Sequence, residues 1–114
     1  MERGAGLRVL VTGATGFVGG SVVESLACKS GFSLRTAVRR EVGFFPAGVE
    51  QVIVASLDAN TEWQMALDGV DMVVHAAARV HVMPDTVADP LEEFRRVNVA
   101  GTLNLARQAT VAGV

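Results

Sequence analysis

The spacing of hydrophobic positions changes several times along this chain, and each change marks an element. Leu7 to Thr12 (LRVLVT) is a β-branched run that ends on Gly13 and Gly16. A helical apolar spacing then runs from Phe17 through Val18, Val22, Val23 and Leu26 to Ala27. These patterns predict strand, glycine-rich turn and helix in that order, with Gly31 as the helix stop. Ser33 to Arg40 (SLRTAVRR) predicts a second strand with a basic end, and Gly43, Pro46 and Gly48 punctuate the connection after it. Gln51 to Ala55 predicts a third strand. Thr61 and Gln64 have capping-box spacing, so a short helix is expected to start there and end near Gly69. Asp71 to Ala77 predicts a fourth strand with little alternation, as suits a strand covered on both faces. Residues 79–89 are expected to form a loop. Asp89 as cap, Pro90 at the first position, and Glu92 and Glu93 in the first turn predict a long helix. It carries Leu91, Phe94, Val97, Leu103, Leu105 and Ala109 and reaches about Ala112.

Strands alternating with helices predict an α/β fold, a parallel sheet with helices on both faces. Right-handed crossovers give about four strands in the order 3-2-1-4, which is an incomplete Rossmann-type sheet. Strand four would lie at an edge with apolar residues to cover, and self-association through that open edge is the corresponding expectation.

Composition narrows the setting. The 114 residues suit one small domain or part of a larger one, and half of them are hydrophobic. A net charge of −2 offers no argument for nucleic acid or an anionic membrane as partner. No apolar run approaches a membrane span or a signal peptide, so a cytoplasmic protein is expected. The single cysteine, Cys28, cannot form an internal disulfide and sits in an apolar stretch, where it is expected to act as a small packing residue. Trp63 is expected to anchor the packing of its helix.

The candidate chemistry lies in Gly13-Ala14-Thr15-Gly16-Phe17-Val18-Gly19. In such a turn the first glycine allows the tight exit from the strand. The second lets backbone N–H groups approach a pyrophosphate, and the third lets the helix pack closely. No lysine follows, which excludes a phosphate loop of the nucleoside-triphosphatase type. Arg39 falls 20 residues after Gly19, with Arg40 beside it, where an acid would hold the ribose of NAD and a base accommodates the extra phosphate of NADP. NADP is therefore expected to be favoured over NAD, against the plainer alternative that both arginines are solvated surface charges. His75 and His81 are six residues apart with no supporting acid or cysteine cluster, so no metal site is expected. His75 is expected to belong to the packing of its strand.

Three segments, VTGATGFVGG (Val11 to Gly20), VVHAAA (Val73 to Ala78) and NVAGTLNLARQA (Asn98 to Ala109), resemble the extended short-chain dehydrogenase/reductase family in order and spacing. That family comprises the NAD(P)-dependent epimerases and dehydratases of nucleotide sugars. HAAARVHVM followed by DPLEEFRRVNVAGTLNL is most similar to its bacterial UDP-sugar 4-epimerases and 4-ketoreductases. The resemblance implies an NAD(P)-binding Rossmann domain of which residues 1–114 are the N-terminal half, with the catalytic and substrate-binding parts absent. Thr12, Gly13, Thr15, Gly16, Phe17, Val18 and Gly19 would cradle the pyrophosphate, and Arg39 and Arg40 would face the adenosine ribose. Ala76, Ala77 and Ala78 would line the cofactor, and Asn98 would support the active site or tie its helix to strand four. The acid that the family carries at the adenine amino group is replaced by Ser56, before Leu57. Adenine would then be met by the Ser56 hydroxyl, by Asp58, or by backbone groups.

The resemblance also implies hydride chemistry at the nicotinamide, acting on a nucleotide-sugar substrate in the full-length parent. That chemistry uses a Tyr-x-x-x-Lys pair. There is no tyrosine in these residues and the one lysine, Lys29, lies in the first helix, so no catalytic residue is assigned and the stretch alone is expected to be inactive. The alternative is a non-catalytic dinucleotide-binding or regulatory module.

Overall fold

A computed structural model describes residues 6–77 and 90–114. The expected loop, with Ala78, His81 and the Asp89 cap, lies outside the described residues. Four strands are present: β1 (Leu7–Thr12), β2 (Phe32–Val38), β3 (Glu50–Ile53) and β4 (Met72–His75). They form one parallel sheet in the order β3-β2-β1-β4, as the alternation predicts. Helix α1 (Phe17–Ala27) joins β1 to β2, and the short α2 (Gln64–Leu67) precedes β4. Then α3 (Pro90–Phe94), a π-helical segment (Arg95–Gly101) and α4 (Thr102–Ala112) follow one another without a break.

The side-chain alternation of β1 explains its unbroken apolar run. Val9 and Val11 face α1 with Ala14, Val23 and Leu34, while Leu10 faces the opposite layer with Trp63, Leu67, Val70 and Leu105. All three β1 residues are fully buried because helices cover both faces. Trp63 anchors the second layer at 1% exposure, as expected. β4 differs from the strand expected to be covered on both faces: Met72 is exposed and Val73 to His75 are half-buried. Among the described residues only β1 pairs with β4, so it is an edge.

Several boundaries and roles differ from the pattern-based expectation. β2 ends at Val38, which puts Arg39 and Arg40 beyond the strand in the connection. The capping box does not form. Trp63, not Thr61, precedes α2, and no side chain caps that helix. The Thr61 hydroxyl instead donates to the Ser56 carbonyl at 2.7 Å and accepts from the Asp58 N–H at 2.9 Å, closing a loop before the helix. Phe17 and Val18 continue the apolar spacing of α1 but are exposed, because the first turn projects past the end of β1. Cys28 is exposed as well, since α1 ends at Ala27 and the chain turns there. In the long helix the wider π-helical turn shifts the period, so Leu105 is buried and Leu91 and Leu103 are exposed.

One buried charge is explained by the layers. Arg35, 6% exposed in the middle of β2, donates to the Ala66 and Asp68 carbonyls at 2.8 Å each, the otherwise orphaned end of α2. Its Nε pairs with Glu50 at 2.8 Å.

Candidate functional site

The carboxyl ends of the parallel strands open onto a cleft of about 1010 Å³. Its near wall is the glycine turn. Gly13 has φ +67, and a Cβ there would stand 2.6 Å from the Ala77 nitrogen, so both its conformation and its closeness to the end of β4 demand glycine. A Cβ on Gly19 would meet the Gly13 carbonyl oxygen at 2.1 Å, which is how tightly α1 sits on the turn. The Gly16 N–H closes the turn on the Gly13 carbonyl at 3.0 Å, and Gly20 is the first N–H of the helix to bond back, to Gly16 at 2.9 Å. Helix geometry leaves the N–H groups of Phe17, Val18 and Gly19 without an intrahelical acceptor. No side chain caps this end and no acid stands in its first turn. The helix dipole and three donors that have no acceptor among the described residues therefore favour an anion at Gly16.

The floor is Thr12, Ala76 and Ala77. The Thr12 hydroxyl accepts from the Ala77 N–H at 3.2 Å and lies 2.6 Å from His75 Nδ1, while His75 Nε2 lies 3.1 Å from the Thr102 hydroxyl. His75 thus ties β4 to β1 and to α4, in keeping with a packing role. Burial lowers its pKa, which keeps the ring neutral in this network.

The side near β2 is formed by Arg39, Arg40, Val42 and Phe44. The Gln51 side chain holds Val42 by accepting from its N–H at 2.9 Å and donating to its carbonyl at 2.8 Å. That clamp fixes the connection after β2 against β3. Among the described residues neither Arg39 nor Arg40 has an ion pair, and both are exposed.

The far wall is formed by Ser56, Leu57, Arg96 and Val97. Asn104 donates to the Asp58 and Thr61 carbonyls at 3.0 and 2.8 Å. Gln108 donates to Thr61 at 2.7 Å and accepts from the Trp63 N–H at 2.8 Å. Arg96 grips both carboxylate oxygens of Glu93 through Nε and a terminal nitrogen, and its other terminal nitrogen lies 3.4 Å from Asp58. The Glu93 hydrogen bond raises the Arg96 pKa further, so the guanidinium is a permanent cation.

Ten of the sixteen residues expected to meet the cofactor line this cleft: Thr12, Gly13, Thr15, Gly16, Arg39, Arg40, Ser56, Leu57, Ala76 and Ala77. Phe17 borders a smaller neighbouring hollow with Phe44 and Phe45. Val18 is exposed and Gly19 is buried behind the turn. Asn98 is half-buried in the π-helical segment. Asp58 lies outside the cleft lining. Its carboxylate accepts from the Asn60 N–H at 2.9 Å and pairs with Arg96. Sequence patterns missed Arg96 and Val97, since a π-helical turn leaves no distinct spacing. Among the described residues no group of three potential metal ligands occurs, and no helix is long and apolar enough to cross a membrane.

Residues 9–114 match the model of the NAD dependent epimerase/dehydratase family. A UDP-glucose 4-epimerase of Vibrio cholerae is 44% identical over 106 residues, covering 93% of this chain and 32% of the relative. An L-arabinose 1-dehydrogenase (NAD(P)(+)) of Haloferax volcanii is 38% identical over 109 residues, covering 94% of this chain and 37% of the relative. Among solved structures, MoeE5 in complex with UDP-glucose and NAD superposes with a TM-score of 0.74 at 31% identity, covering 94% of this chain and 33% of that one. The chain spans about a third of the length of these relatives.

Proposed function

The chain belongs to the NAD dependent epimerase/dehydratase family, and on that premise we propose that its cleft holds the adenosine-diphosphate half of an NAD(P) cofactor. In the whole protein that cofactor serves hydride transfer on a nucleotide sugar. The observation that carries this proposal is the union, in one cleft, of an uncapped helix N-terminus with two arginines that have no partner among the described residues.

A bound nicotinamide dinucleotide supplies the hydride acceptor and donor. The chain's own groups bind and orient. The N–H groups of Phe17, Val18 and Gly19 receive the pyrophosphate, and the glycine positions admit it to the backbone. Thr12, Ala76 and Ala77 give a floor low enough for the dinucleotide to pass, and the neutral His75 keeps that floor in place. Ser56 and Leu57 meet the adenine, and Asn98 supports the site from the long helix. None of the 114 residues is a tyrosine, so binding and orientation, not proton transfer, fall to this stretch.

NADP is favoured over NAD. Among the described residues that line the cleft three are arginines and none is acidic. None of these lining residues offers a carboxylate to a ribose hydroxyl, whereas Arg39 and Arg40 suit a phosphate. Calorimetric titration with NADPH, NADH and ADP tests this. NADPH is expected to bind tightest, and replacing Arg39 and Arg40 together by Ala is expected to remove roughly a tenfold advantage, about 1.4 kcal/mol. Equal affinities, or tighter NADH, would end the NADP preference. No binding by a folded sample would end the cofactor assignment itself.

A further inference from the structure

We infer that Arg96 is a specificity residue of the cleft, a flat cationic plate on which the purine of the bound nucleotide stacks. The inference rests on the cofactor assignment above and adds a residue that the glycine turn and Arg39 do not account for.

Three observations converge on it. Arg96 lines the cleft beside Leu57 and Val97, on the wall nearest Ser56. All three of its side-chain nitrogens have carboxylate partners, two on Glu93 and one on Asp58. Three of the five N–H donors on the guanidinium edge are therefore engaged, and its flat face is open to a ligand. The two carboxylates also bias the orientation of the plane before any ligand arrives, which lessens the rotamer entropy lost on stacking. The backbone beneath is fixed as well. A Cβ on Gly101 would meet the Leu57 carbonyl oxygen at 2.7 Å, so the π-helical segment sits hard against the loop that follows β3. A π-helical turn of this kind, inserted in an otherwise regular helix, commonly marks a functional position. Stacking recognises a purine ring, not a charge, and this distinguishes Arg96 from Arg39 and Arg40 on the opposite side.

Calorimetry with ADP and with inorganic pyrophosphate tests the assignment on the wild type, Arg96→Met and Arg96→Lys. Arg96→Met is expected to weaken ADP binding about two- to fivefold, the range of a cation–aromatic contact at an exposed site. Pyrophosphate affinity is expected to stay unchanged. Arg96→Lys keeps the charge and can keep both ion pairs, so the fold is retained, but it lacks the plane. It keeps a cation over the ring but not the flat stack, so it is expected to recover only part of the loss toward ADP. Unchanged ADP affinity in Arg96→Met would overturn the inference and leave the cofactor assignment standing. An equal loss for ADP and pyrophosphate, or full rescue by lysine, would also overturn it, because either would make Arg96 a simple charge. A wild type that binds neither probe would remove the cofactor assignment and this inference together.

Discussion

The two walls of the cleft are built by opposite means. The near wall, residues 13–19, is a single local segment that works through backbone: a positive φ, a helix end and two contacts that exclude a side chain. The far wall brings the loop that follows β3 under the π-helical segment and α4, and side chains hold it. Asn104 reaches 46 residues back to Asp58, Gln108 reaches 47 back to Thr61, and Arg96 reaches 38 back to Asp58. A wall made of consecutive backbone can be changed only by breaking the turn. A wall made of long-range hydrogen bonds can lose one strut and leave the rest of the molecule standing.

The largest effect is expected at the near wall. Gly19→Ala places a methyl group 2.1 Å from the Gly13 carbonyl oxygen, where only backbone movement can relieve the clash. A loss of about 3 kcal/mol or more in denaturant unfolding is expected, together with loss of ADP binding. A variant of wild-type stability that still binds ADP would show that α1 does not need this approach. A smaller effect is expected at the far wall. Gln108→Ala leaves the Trp63 N–H and part of the Thr61 carbonyl bonding unmade, for about 1–3 kcal/mol. Amide exchange should quicken at residues 58–63 and stay unchanged at the glycine turn. Quickening at both would mean that the walls are not separable.

The smallest effect joins the two walls. His75 links Thr12 on the floor to Thr102 at the start of α4. Burial lowers its pKa below the ordinary 6.5, so the unfolded chain binds the proton more readily than the folded one. This contribution to stability is therefore complete above about pH 6.5 and is lost as pH falls below it toward the folded value. Melting followed from pH about 7.5 to about 5 should show the decline, and His75→Gln should flatten it. The same slope in both proteins would assign the decline to other groups.

What was legible in the sequence follows the same division. The glycine turn could be read because each glycine answers a local backbone need. The sheet order could be read because alternating elements and right-handed crossovers leave few arrangements. Arg39 and Arg40 could be placed by counting from the glycines. Arg35 gave no signal, because its partners are carbonyls at the end of α2 about thirty residues away. Thr61 misled, since its hydroxyl serves the loop before α2 and not the helix. Asp58, one of the groups expected to meet adenine, also accepts from Asn60 and pairs with Arg96, contacts that the sequence did not signal. Arg96 itself is placed only by the packing of the π-helical segment on the loop that follows β3.

Amide hydrogen exchange with and without saturating ADP is the most direct measurement of whether both walls serve one ligand. Protection is expected at residues 13–19 and, in the same experiment, at 56–58 and 95–98. Protection confined to the glycine turn would contradict a two-walled adenosine site, and protection at neither would remove the cleft as a nucleotide site.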